Sequence, residues 1–354
     1  MVESAEKAQA AEHFQESSPV GAWIRRQVLP QLGVVGPVAI RSEPLPSSHR
    51  AVRCGVYANG AERAAFVLKR YFEDPGVTPE TAVVRARREH RMFQLVNEHV
   101  AFQSGHRVAR LLGAHLKPPA ALAFEYVPGV EAASAIKSAA DPRRSSSETV
   151  ERARSGLRQI GVLLAELHAH EVAVRVPIWL SPLKSYPRRL LHRLAADGVV
   201  SEAQYGVLSR RLKSFLSVLS KPNLTLVHGD ANPTNFLLCS EGVLALDLER
   251  MGTCDPALDL GFMMADLIHL VRQYGGTASL CGSLTDGFAT AYSVASKAPT
   301  TPESQALFLA IGLWRIARNG WLDLTHRRWL ASVSRLVLQA TEAGHDFSIG
   351  ELWG

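Results

Sequence analysis

At 354 residues the chain is long enough for two units, each burying a core of its own. A composition 47% hydrophobic and 20% charged is an ordinary soluble globular one. The net charge of +6 raises the question of nucleic acid, but the basic residues are dispersed in pairs such as Arg25-Arg26, Arg87-Arg88, Arg143-Arg144 and Arg327-Arg328, without interleaved aromatics. That pattern reads as solvated helix faces, so no nucleic-acid partner is expected. Cys54, Cys239, Cys254 and Cys281 show no Cys-x-x-Cys spacing and no histidine at zinc-finger distance, which argues against structural zinc and a disulfide framework and fits a reducing cytosol. No apolar run reaches membrane-spanning length, and the polar start Met1-Val-Glu-Ser-Ala-Glu-Lys-Ala lacks a hydrophobic signal core. A cytoplasmic protein with no membrane partner is expected.

Residues 1–18 are rich in Ala, Glu, Gln and Ser and read as a flexible segment. From Pro19 the spacing of Val20, Trp23, Ile24, Val28 and Leu32 predicts an amphipathic helix. Ala51 to Tyr57 and Ala64 to Phe72 read as strands around the turn Ala58-Asn59-Gly60. The second strand carries Lys69 behind Ala65-Phe-Val-Leu; a cation among apolar neighbours is costly unless an anion such as a phosphate meets it. The helix predicted over Thr81 to Glu98 places Glu89 twenty residues on, as the partner expected for that lysine. Ala121-Leu-Ala-Phe-Glu-Tyr-Val-Pro-Gly129 is a buried-strand pattern ending in a turn. Asp141 to Glu148 reads as an exposed loop, and Val150 to His168 as a helix whose terminal histidine packs or caps. Residues 180–220 repeat Arg, Leu and Lys at helical spacing and predict a helical pair.

The segment Leu226 to Glu249 carries the chemistry. Asp230 and Asn235 stand five positions apart in His228-Gly-Asp-Ala-Asn-Pro-Thr-Asn235, the offset of the catalytic loop of phosphoryl-transfer enzymes. The apolar runs Phe236 to Cys239 and Val243 to Leu248 flank Ser240-Glu241-Gly242 and predict a hairpin with a three-residue turn. Pairing centred on Glu241 sets Asn235 opposite Asp247, a two-ligand Mg²⁺ site. Asp255 then reads as a helix N-cap with Pro256 at the first helical position. Asp259, one turn on, is positioned to brace the loop through its backbone or His228. The short connection after Asp247 lacks an Ala-Pro-Glu activation segment, which favours a small-molecule acceptor over a protein. From Leu260 onward seven acids face seven cations, a balance that weighs against a polycationic acceptor. Trp314, Trp321 and Trp329, with Tyr292, read as an aromatic cage or as core; Trp314 and Trp321 lie a heptad apart, a spacing that burial on one helix face explains.

His228-Gly-Asp-x-x-x-x-Asn235 followed by Leu246-Asp-Leu-Glu249 resembles the aminoglycoside phosphotransferase and choline kinase-like family, and Gly252 to Leu260 is similar to that family's Gly-Asp-Pro-x-x-Asp-Leu segment. The resemblance implies an α+β, bilobal protein-kinase-like fold: an N-lobe over 19–127 with a small antiparallel sheet and one main helix, and a larger, mostly helical C-lobe over 128–354. It also implies a phosphate-covering loop with its tip at Leu45 to Arg50, where Gly-x-Gly is missing and Ser47 and Ser48 stand as phosphate contacts. Glu125, Tyr126 and Val127 become the linker residues facing adenine, and the helical pair over 180–220 shapes the acceptor site.

The resulting expectation is a kinase that moves the γ-phosphate of ATP, with GTP an open alternative, to a hydroxyl of a metabolite or antibiotic. Lys69, fixed by Glu89, binds phosphates; Asn235 and Asp247 hold Mg²⁺; Asp230 orients and deprotonates the acceptor. The rival is a catalytically idle, nucleotide-binding pseudokinase serving as a regulatory module, and retention of all four polar positions counts against it. Oligomeric state has no signature in the sequence.

Overall fold

A computed structural model describes residues 18–45, 48, 50–72, 76–103, 105–170, 185–218, 224–345 and 353. The expected flexible segment thus lies almost wholly outside the described residues. Two compact units emerge: one runs to Val96 and includes Val108–Pro128, the other comprises Asn97–Arg107 and everything from Gly129 onward.

In the first unit the helical pieces Pro19–Trp23, Ile24–Val28 and Leu29–Gln31 follow one another, and the Ser18 hydroxyl accepts the Gly21 amide at 3.0 Å to cap the start. Their apolar positions Val20, Trp23, Ile24 and Val28 pack against Val52, Cys54, Val56, Phe66 and Leu68 of an antiparallel sheet. Each such side chain taken fully out of water contributes about 1.5–3 kcal/mol. The sheet runs Ala39–Pro44, Ala51–Ala58, Ala61–Arg70, Ala121–Glu125, Leu111–His115 in spatial order. The first hairpin turns on two residues where three were expected, because Asn59 and Gly60 both adopt positive φ, 53° and 79°, and Ala58 pairs with Ala61. The helix Pro79–His99 buries Ala82, Ala86, Glu89, Phe93 and Val96, a three-four spacing along one face.

The second unit is mostly helical, making the whole α+β. Its centre is the helix Ala257–Gln273, which buries most of its length against Pro302–Ala317. The approach is close enough to require glycine on both sides. A Cβ on Gly261 would stand 2.4 Å from the Leu309 nitrogen, and one on Gly312 2.7 Å from Ala265 Cβ. The expected helical pair is present as Tyr186–Ala196 and Glu202–Val218. Trp314 is fully buried and donates its indole N–H to Ser334 Oγ at 2.7 Å, whereas Trp321 is 71% exposed. The heptad reading fails there because the helix stops at Ala317, before Asn319 and Gly320, both poor helix formers. Among the described residues no helix is long and apolar enough to cross a membrane.

Candidate active site

The strand Thr225–Val227 pairs with Gly252–Cys254 and delivers His228, Gly229 and Asp230 at its end. Gly229 has φ +79°, and a Cβ there would lie 2.1 Å from the Arg250 carbonyl oxygen, so only glycine fits. Asp259, fully buried in the first turn of Ala257–Gln273, accepts the His228 amide at 2.7 Å and the Gly229 amide at 2.9 Å. A carboxylate only accepts, so the His168 Nε2 at 3.0 Å donates to it, which leaves Nδ1 to accept the Tyr292 hydroxyl at 2.9 Å. The sequence reading of Asp259 as a brace is what forms. His168 proves to be a packed part of the same brace, not a helix cap. The His228 ring is anchored too, its Nε2 2.9 Å from the Leu246 carbonyl.

Held by this backbone, Asp230 meets two cations. Arg315 Nη1 lies 3.0 Å and Arg250 Nη1 3.6 Å from its Oδ1, while Arg315 Nη2 donates to Asp266. Burial works against the Arg315 charge, but Asp266 and Asp230 outweigh it and hold its pKa above the usual value. Burial also pushes the Asp266 carboxyl up to about 6, Arg315 opposing and Asp230 adding to the rise. The Asp230 carbonyl receives the side-chain amides of Asn235 at 2.9 Å and Asn232 at 3.1 Å, which ties the loop Asp230–Asn235 into one piece.

Because the Asn235 Nδ2 donates inward to Asp230, its Oδ1 is the end left for other partners. An amide oxygen and the Asp247 carboxylate are the hard oxygen donors that Mg²⁺ selects, so the residues fit that ion. Their alignment differs from expectation. The hairpin turn is the two-residue Ser240-Glu241, Gly242 pairs with Cys239, and the Leu246 amide bonds the Asn235 carbonyl at 2.9 Å. Asn235 therefore faces Leu246, and Asp247 falls one residue beyond the register. There Asp247 turns into the left-handed region at φ 54°, a conformation Asp tolerates better than most residues but that stores strain of roughly 1–3 kcal/mol.

In the first unit, Lys69 is only 7% exposed and its Nζ stands 2.7 Å from Oε2 of the fully buried Glu89. The Tyr71 hydroxyl donates to the same oxygen, a contact unsignalled in the sequence except by the tyrosine two positions after Lys69 on the same strand face. The loop tip is only partly described. Ser47 lies outside the described residues; the Ser48 hydroxyl accepts the amides of Arg50 at 3.2 Å and Ala51 at 3.0 Å, closing the turn. Of the linker trio, Glu125 is committed to the sheet: its amide bonds the Arg110 carbonyl at 2.9 Å and its Oε1 accepts the Arg110 amide at 2.7 Å. Tyr126 lies with its ring under the Arg53 guanidinium, 4.8 Å from the centroid, and Val127 is half-buried.

Sequence reasoning missed Arg315, Asp266 and Arg250 as neighbours of Asp230. The first two were visible only as two among many C-terminal charges. Arg250 stands three residues after Asp247, one position past the segment Leu226 to Glu249, and its direction depends on the turn Leu248–Arg250.

Residues 48–304 match the model of a phosphotransferase enzyme family. No curated protein sequence is significantly similar to the chain. Among solved structures, a putative aminoglycoside phosphotransferase from Ralstonia eutropha JMP134 aligns with TM-score 0.56 at 15% identity, over 90% of this chain and 94% of that one. A choline/ethanolamine kinase family protein from Mesorhizobium loti gives 0.55 at 15% identity, over 93% and 94%. A glucosamine kinase in complex with glucosamine, ADP and inorganic phosphate gives 0.50 at 16% identity, over 89% and 96%. At these identities the likeness is one of fold, and that fold is kinase-like.

Proposed function

The chain belongs to the phosphotransferase enzyme family, and on that premise we propose that Asp230 is the base that takes the proton of one small-molecule hydroxyl as that hydroxyl receives the γ-phosphoryl group of Mg²⁺-bound ATP. An ATP-dependent phosphotransferase acting on hydroxyl substrates, a small-molecule kinase, is the class; the roles of residues are our assignment. The observation that carries it is the buried brace of Asp259 on the His228 and Gly229 amides, which holds the Asp230 backbone fixed. Lys69, paired with Glu89, which Tyr71 also contacts, meets the nucleotide phosphates as a desolvated cation. Adenine would then meet the linker at Tyr126 and Val127, since Glu125 is occupied in the sheet.

During transfer the acceptor oxygen forms a bond to the γ-phosphorus, the bond from that phosphorus to the β–γ bridging oxygen breaks, and ADP departs with the electron pair. The acceptor proton moves to Asp230. Asn235 and Asp247 would hold the Mg²⁺, which when bound neutralises charge on the phosphate oxygens. Arg315, shared between Asp230 and Asp266, fixes the carboxylate orientation. A pseudokinase is the weaker reading, because Lys69, Asp230, Asn235 and Asp247 are all retained.

Screening hydroxylated metabolites and antibiotics for acceptor-dependent ADP release tests the class. On the acceptor so found, Asp230→Asn should lower transfer about 10²–10⁴-fold while nucleotide affinity by calorimetry persists. Asp247→Asn should weaken Mg²⁺-nucleotide binding itself. Unchanged turnover in Asp230→Asn refutes the base assignment.

A further inference from the structure

The second unit holds a cavity of about 630 Å³ walled by Tyr186, Arg189, Arg193, Arg318, Asn319 and Trp321, with Leu190 and Gly320 completing it. That size suits a small ligand. Its connection to the base runs along one helix. Arg315, which meets Asp230 at 3.0 Å, lies on Pro302–Ala317, and Arg318 follows three residues later in still-helical backbone, φ −68° and ψ −16°. Residues three apart share a helix face, and the step is about 4.5 Å along the axis. Tyr186 closes the link from the other side: it opens the helix Tyr186–Ala196, which packs on Pro302–Ala317, and lies within electrostatic reach of Arg315.

The chemistry of the wall is one-sided. Three guanidinium groups line it and, among the described residues, no carboxylate does. Two have other partners: Arg189 Nη1 donates to Ser185 Oγ at 2.9 Å, and Arg193 Nε pairs with Asp197 at 2.9 Å. Arg318, exposed at the helix end, is the one carried by the same helix as Arg315. Trp321 lies beyond it with most of its surface in solvent, a flat face for a ring or sugar. A polycationic acceptor would meet like charge at every one of these arginines.

We infer that the acceptor is an anionic hydroxylated small molecule, its carboxylate or phosphate held by Arg318 and its body against Trp321, so that a hydroxyl several bonds away reaches Asp230. This deepens, and rests on, the phosphotransferase reading. Guanidinium forks match the two-oxygen edge of either anion, whereas a neutral sugar gains only the stacking. The transfer step itself is unchanged, with the proton passing to Asp230 and ADP leaving.

The test uses four probes of one carbon skeleton: glucuronate, glucose 6-phosphate, glucose and glucosamine. Each is titrated by calorimetry into the full chain, and each is offered as acceptor with ATP and Mg²⁺ while ADP release is followed. The two anions should bind at least roughly tenfold tighter than glucose, with glucosamine weakest, and the better anion tells carboxylate from phosphate. R318Q should remove that preference and raise the KM of any anionic acceptor by tenfold or more, with kcat changed far less; W321A should weaken all four probes together. Equal binding of all four, binding of none, or a preference for glucosamine overturns the inference. So does an anion preference that survives R318Q. These readouts are of binding, so a failure of Asp230 as base would show in transfer alone and leave them standing.

Discussion

Replacing Asp259 by Asn isolates what the buried brace does, because size and shape are kept while one acceptor oxygen and the charge are lost. Asp259 serves three donors: Oδ2 takes the His228 amide and His168 Nε2, and Oδ1 takes the Gly229 amide. The best amide orientation keeps its oxygen where Oδ2 was, which turns its NH₂ against the Gly229 N–H. An unsatisfied buried amide costs about 1–3 kcal/mol, and converting two charge-assisted bonds to neutral ones loses about 1 kcal/mol each. The sum is about 3–5 kcal/mol, worth roughly 10 °C in Tm for a unit of this size. Asp230 follows Gly229 directly, so loosening the loop also displaces the base, and misplacement by about 1 Å costs roughly 10²-fold in rate. Calorimetric melting and ADP release on one preparation measure both effects. Tyr292→Phe is the control, since it removes only the outermost hydroxyl of the chain and should cost about 1 kcal/mol with little change in rate. If Asp259→Asn melts within 2 °C of wild type at undiminished turnover, the brace does not position Asp230.

Lys69→Ala should abolish most nucleotide use, and Glu89→Gln should raise the KM for ATP less severely, since Gln keeps the Tyr71 contact but not the charge; steady-state kinetics over ATP concentration decides, and wild-type kinetics in Lys69→Ala rejects the assignment. Gly229→Ala should destabilise by more than about 2 kcal/mol, because it combines a left-handed alanine with a Cβ 2.1 Å from the Arg250 oxygen; denaturant titration showing no loss would mean the loop backbone yields easily. The Asp266 carboxyl is raised in the fold from 3.8 to about 6, so the folded state holds its proton longer than the unfolded one. Its contribution to stability therefore falls as pH rises through that window, by about 3 kcal/mol in all. Asp266→Asn should remove this component, visible as the difference between the Tm–pH curves of variant and wild type from pH 4 to 7; parallel curves refute it.

How much of this was legible in the chain depends on how far each interaction reaches. Lys69 and Glu89 could be paired because a strand and the following helix each impose a period, and a buried cation demands an acid nearby. Asp259 was readable as a brace for a similar reason: it sits one turn inside a helix that Asp255 caps, its Oδ1 accepting the Ala257 amide at 2.9 Å. The hairpin shows where local reasoning stops. Whether Ser240-Glu241-Gly242 turns on two residues or three is a balance of fractions of a kcal/mol in backbone conformation. Gly242 was available for a left-handed turn position, yet it enters the strand with φ +146°, where a Cβ would lie 2.9 Å from the Gly105 carbonyl oxygen. The demand on that glycine therefore comes from a loop more than a hundred residues earlier, and the one-residue shift moves Asp247 out of opposition to Asn235.

Arg315 marks the other limit. Nothing in its helix distinguishes it from Arg318, since both are arginines near a helix end and both count equally in a charge balance. What separates them is the close packing made possible by Gly261 and Gly312, which sets the Arg315 stem beside the central helix, where Asp266 and Asp230 meet it. Arg318, one turn on, has passed the end of that contact and faces solvent. The same residue type thus divides into a carboxylate positioner and a candidate anion holder by its distance from two glycines. A helix slid by one turn would exchange the roles, so Gly312→Ala, which must push Pro302–Ala317 away from Ala265, should loosen the Arg315–Asp230 pair before it touches Arg318. The expected signature is a fall in kcat with little change in the KM of the acceptor; a change confined to KM would show that the two arginines are not separated in this way.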